Sequence, residues 1–86
     1  MEFVSGMVVI SSAGHDDGGW FVVTGADGRY VYIADGKERK LASPKKKNIK
    51  HVCATSHTLE LEGMTDRRLR KTLNALKAAS IAEESE

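Results

Sequence analysis

The chain has 86 residues, 41% apolar and 29% charged, with a formal net charge of +1, which describes one small globular domain. A chain of this size buries about 60–65% of its unfolded surface, so its single core excludes a large enclosed cofactor pocket. One cysteine, Cys53, excludes an intrachain disulfide framework, and apolar runs no longer than five residues exclude a signal segment or membrane span, making the cytoplasm the expected compartment.

The first two-thirds has strand character. Met7-Val8-Val9-Ile10, Trp20-Phe21-Val22-Val23-Thr24 and Tyr30-Val31-Tyr32-Ile33-Ala34 are β-branched and aromatic runs separated by glycines. Asp27-Gly28 and Asp35-Gly36 each fall between strand-like runs, and Asp-Gly supplies the positive φ angles of a type I′ turn. Two hairpins are therefore expected, the second with residues 37–41 as its outgoing arm. Ser43-Pro44 ends that arm, since proline lacks the ladder donor. Lys45-Lys46-Lys47 then forms an exposed loop. A further strand is expected over residues 48–55, its imperfect alternation pointing to a bulge, with residues 57–62 extending it or making another.

After Gly63 the period changes. Thr65 is a good N-cap and Asp66 suits a first helical turn. Leu69, Leu73 and Leu76 share an arc of roughly 60° with Ala79 at its margin, and Arg67, Arg70, Lys71 and Lys77 lie opposite. The spacing predicts an amphipathic helix over residues 66–81. The expected architecture is mainly β: a small barrel over residues 1–62, a C-terminal helical segment over 63–82 on or beside it, and an acidic frayed end over 83–86.

Charge is segregated. Residues 37–50 hold seven Lys or Arg against one acid, Glu38, a net of +6, so the remaining seventy-two residues carry −5 to reach the total of +1. Charge runs are usually solvated faces, but a surface made only for solubility intersperses both signs. An unneutralised cluster is the footprint of phosphate-backbone binding. The candidate contacts are Lys37, Arg39, Lys40, Lys45, Lys46, Lys47 and Lys50, with His51 adding a hydrogen bond and the helix arginines broadening the patch. RNA is preferred to DNA because no helix presents base-reading polar residues. Tyr30 and Tyr32 share a strand face, so both are in the core or both are out, where they would stack on bases; Trp20 is expected in the core.

Other chemistries find little support. His51, Cys53 and His57 share strand parity, but a structural zinc site wants four ligands, and one buried thiol with two surface histidines is the expected arrangement. Ser11-Ser12, His15 and Asp16-Asp17 are adjacent without the packed base and orienter a triad needs. No phosphate-loop or dinucleotide fingerprint is present. No enzyme, cofactor or small-molecule substrate is expected, and a monomer is.

The run from Ser5-Gly6-Met7-Val8-Val9-Ile10 through Gly14-His15-Asp16-Asp17-Gly18 to Phe21-Val22-Val23 resembles a KOW motif, a strand, glycine-containing loop and strand. Ile33-Ala34-Asp35-Gly36-Lys37, Arg39-Lys40-Leu41 and Pro44-Lys45-Lys46-Lys47-Asn48-Ile49-Lys50-His51 resemble more specifically the small bacterial KOW-domain proteins similar to the fourteen-e-type large-subunit ribosomal protein. The resemblance covers roughly residues 4–55. It implies an SH3-like barrel, RNA as partner (ribosomal RNA or the ribosome above all), and a KOW loop in which Gly14, His15 and Gly18 lie near RNA. The sequence departs from the pattern at His15 and Asp17, where relatives carry basic residues, and the acidic pair is expected to repel phosphate. Two rival uses of such a barrel are a protein-interaction module and a role in transcription elongation.

Overall fold

In the computed structural model, which describes residues 2–84, five antiparallel strands form one sheet and a helix packs on it. The strands are β1 (Met7–Ser11), β2 (Trp20–Asp27), β3 (Tyr30–Ala34), β4 (Lys45–Asn48) and β5 (Val52–Thr58), and the helix is α1 (Asp66–Glu84). The sheet order is β4-β3-β2-β1-β5. The chain is thus mainly β with a C-terminal helix, as expected.

The edge strands reveal the curvature. β4 and β5 sit at opposite ends of the sheet order, about 19 Å apart if it were flat. Only the 3-10 turn Ile49–His51 joins them, and three such residues rise about 6 Å. The sheet must therefore curl until its edges nearly meet. No ladder joins β4 to β5 among the described residues, so the barrel stays open along that seam.

Curling gives the sheet two buried faces. Inside lie Val9, Phe21, Val23, Val31, Ile33 and Val52. Outside, Val8, Val22 and Ala34 are covered by Leu69 and Leu73 of α1, with Trp20, Leu41, Leu59, Leu61, Met64 and Leu76 around them. This explains why Val8-Val9 and Phe21-Val22-Val23 are apolar without alternation: successive side chains enter different cores. The helix is capped as its sequence implies, with the Arg68 amide donating to Thr65 Oγ1 at 3.2 Å. It runs to Glu84, so Glu83 and Glu84 are helical rather than a frayed end; Ser85 and Glu86 lie outside the described residues.

Several local expectations are corrected. The β2–β3 hairpin forms, but Asp27 pairs with Tyr30, leaving Gly28-Arg29 as the turn. Among the described residues positive φ occurs only at glycines, so Gly28 (φ +59°) alone supplies it, the sign pattern of a type II′ rather than I′ turn. Residues 37–41 are not a hairpin arm. The Asp35 carboxylate accepts from the amides of Lys37 and Arg39, both at 2.9 Å, and folds the chain into a compact loop. The Leu41 amide then donates to Asp66 Oδ1 at 2.7 Å, tying the loop to the start of α1.

The lysine triplet is not a loop either. It is β4 itself, paired with β3 through Tyr32↔Lys46 and Val31↔Lys47. The anticipated bulge exists further on than expected. Between the pairs Met7↔Thr58 and Val9↔Ala54, Val8 alone of β1 faces Thr55, Ser56 and His57 of β5, and Thr55 Oγ1 fills the gap by donating to the Val8 carbonyl at 2.8 Å. The irregularity over residues 48–51 is the 3-10 turn, where Asn48 Oδ1 accepts from the Lys50 amide. Cys53, expected to be buried, is exposed.

Candidate nucleic-acid interface

Strand parity divides the lysine triplet. Lys47 stands opposite Val31 and Lys45 opposite Ile33, so both point to the inner face of the curl. Lys46 stands opposite Tyr32 and points to the outer face, the one that carries α1.

The inner pair meets the first loop. Residues Gly14–Asp16 make one 3-10 turn between β1 and β2, with Gly14 and Gly18 at φ +74° and +86°. That turn carries Asp16 over the seam, where its Oδ2 lies 2.5 Å from Lys45 Nζ and 3.7 Å from Lys47 Nζ. Lys47 Nζ also donates to the Ala13 carbonyl at 2.7 Å, and Lys47 is only 8% exposed. The acid expected to repel phosphate instead anchors the lysine strand. The Lys45 hydrogen bond, aided by the positive fields of Lys45, Lys47 and Arg39 and opposed by partial burial, holds the Asp16 carboxyl below its ordinary value. One carboxylate among three cations still leaves the cluster positive. Half-buried Arg39 has a buried Nε with no hydrogen-bond partner among the described residues.

The outer face is built differently. Lys46 Nζ lies 4.3 Å from the centre of the Tyr30 ring, a cation–π contact. Tyr30 is 37% exposed and Tyr32, two residues along the same face, is half-buried. Both tyrosines are therefore outside the interior core. Gly25 pairs with Tyr32 and presents no side chain beside it. Exposed Arg29 borders this ground from the β2–β3 turn, its carbonyl accepting from the Ile49 amide at 2.9 Å; exposed Lys50 and His51 follow in the 3-10 turn.

The candidate residues thus form no single wall. Arg39, Lys45 and Lys47 gather around Asp16. Lys46 joins Tyr30 on the other face, with Lys50 and His51 in the next turn. Exposed Lys37 and Lys40 belong to the loop against α1, where Lys40 Nζ reaches the Gly36 carbonyl at 3.4 Å. Gly14, His15 and Gly18 are exposed in the first loop. Sequence reasoning left Tyr30 and Tyr32 undecided and missed Arg29. The signal for the tyrosines was their shared parity beside an edge strand made of lysine.

No group of three or more His, Cys, Asp or Glu among the described residues is placed to hold a metal ion, and no described helix is long and apolar enough to cross a membrane. Compared with known proteins, the chain matches no family model and no curated protein sequence.

Proposed function

We propose that this protein is an RNA-binding module that contacts structured RNA through the outer face of β3 and β4. The observation that carries the reading is an exposed aromatic ring, Tyr30, held under the ammonium of Lys46 at a sheet edge composed of lysine. A π-face offers stacking to any unpaired base, and the neighbouring cations Lys46, Arg29 and Lys50 offer phosphate contacts. Bases splayed from loops and bulges of folded RNA meet this chemistry better than a closed duplex does. The resemblance of residues 33–51 to the ribosomal protein family makes ribosomal RNA the partner we favour, within an SH3-like barrel of the KOW kind. Lys45 and Lys47 serve this surface indirectly, since Asp16 and the Ala13 carbonyl occupy their ammonium groups.

The test is a titration against a ribosomal RNA hairpin and against a fully paired duplex of the same length. Binding through the tyrosine face gives preference for the hairpin, and Tyr30→Ala weakens hairpin binding by about 5- to 100-fold, the cost of one lost base stack. Equal affinity for both RNAs, unchanged in Tyr30→Ala, would remove the tyrosine from the site.

A further inference from the structure

A second feature opens on the same outer face. Gly19, Trp20, Asp35 and Lys37 form one side of a groove, and Arg70, Leu73, Asn74 and Lys77 of α1 form the other, enclosing about 210 Å³. Arg70, Asn74 and Lys77 follow i, i+4, i+7 spacing and line one flank of the helix, with Leu73 at the floor. Among residues 2–81, whose side chains the structure describes, no carboxylate lies within 4.0 Å of the Lys37, Arg70 or Lys77 head groups. Asp35 also lines the groove, but its carboxylate already accepts the Lys37 and Arg39 amides. Trp20 is half-buried, packed at the edge of the helix-side core and 6.5 Å from the His57 ring.

We infer that this groove is a nucleotide subsite, taking one unit of an RNA strand with its base against Trp20 and its phosphate between Arg70, Lys77 and Lys37. The inference deepens the RNA-binding reading and rests on it. Three features define the ligand. Three cations without carboxylate partners among the described side chains call for an anion. An indole and a leucine call for a flat apolar group beside that anion. The volume is below the roughly 300–1,000 Å³ of pockets that enclose drug-sized molecules, so one moiety enters while its neighbours remain outside, as a strand allows. Asn74 adds an amide able to donate to and accept from a base edge. Asp35, beside the groove and just past the end of β3, is five residues beyond Tyr30, about 17 Å of extended chain. That span fits within a single-strand site of the ~4–16 nucleotides that small β folds hold. One strand would then touch Tyr30 at one end and Trp20 at the other.

Trp20 is the sole tryptophan, so its emission reports on this groove directly. The experiment titrates the protein at low salt with an RNA octanucleotide, with adenosine monophosphate and with inorganic phosphate, reading Trp20 fluorescence alongside anisotropy of a labelled octanucleotide. The expected result is saturable quenching by the octanucleotide, at least tenfold tighter than by the mononucleotide because the strand is also held elsewhere, with no quenching by phosphate. Arg70→Gln combined with Lys77→Gln, both changes being at exposed positions, should weaken the octanucleotide several-fold and lower its salt slope by about 0.7 per lost contact. Octanucleotide binding seen by anisotropy with unchanged Trp20 emission would overturn the groove while leaving the tyrosine face standing. The same holds if quenching is indifferent to the double substitution. A mononucleotide as tight as the octanucleotide would overturn the strand as its occupant. Loss of anisotropy binding in Lys46→Gln, with quenching by the mononucleotide retained, would support the groove as a separate subsite.

Discussion

Asp16 is the residue on which the seam depends. It is the acceptor that holds Lys45 and stands within 3.7 Å of the nearly buried Lys47 ammonium. Asp16→Asn keeps the shape and removes the charge, so it should destabilise the domain by about 1–3 kcal/mol, measured by urea unfolding at neutral pH. Because the folded carboxyl lies below its ordinary value of 3.8, the unfolded chain takes up the proton first as pH falls. The advantage of the native protein over Asp16→Asn should therefore be constant well above pH 3.8 and shrink as pH drops below it. An advantage that instead grows towards acid pH would contradict the pairing. The same substitution releases Lys45, so RNA affinity at low salt should rise even as stability falls. The opposite pattern, weaker binding in Asp16→Asn, would mean that the first loop itself contacts RNA.

At the scale of elements, the loop after β3 and the helix are one unit. Gly36 is buried at φ +79°, and a Cβ added there would overlap the Asp66 carbonyl oxygen at the start of α1. Gly36→Ala should cost about 1–3 kcal/mol from the backbone conformation alone, with the overlap adding to it. Leu69 of α1 is fully buried against the sheet, and Leu69→Ala should cost about 2–5 kcal/mol in the same assay. Near-neutral values at both positions would mean that α1 does not dock as described.

The helix was legible because its leucines repeat at one period and Thr65 marks its start. The first three strands were legible from β-branched runs and from Gly28, which marks the turn between the second and third. The course of residues 37–48 was not. Asp35 captures two amides of its own loop, a side-chain event that competes with strand pairing and leaves no hydrophobic trace. The next strand is Lys-Lys-Lys-Asn, whose pairing rests on backbone bonds and on an acid 29 residues before Lys45. Neither local propensity nor alternation records such a partner.

For the whole molecule, the curl decides which cations face solvent. The charge count located the basic segment and anticipated a folded patch, but only the strand register separates Lys46 from Lys45 and Lys47. A patch of +6 over fourteen residues overstates the charge free to meet a polyanion, because part of it is directed at Asp16. What remains on the outer face is arranged around aromatic rings, Tyr30 at one end of β3 and Trp20 near the other. The most direct measurement is the salt dependence of RNA affinity for the native protein and for Lys46→Gln, plotted as the logarithm of the binding constant against the logarithm of salt. Phosphate contact by Lys46 predicts a slope shallower by about 0.7–0.9 in the variant, with weaker binding at low salt and convergence at high salt. Identical slopes and affinities for the two proteins would contradict RNA binding through this face.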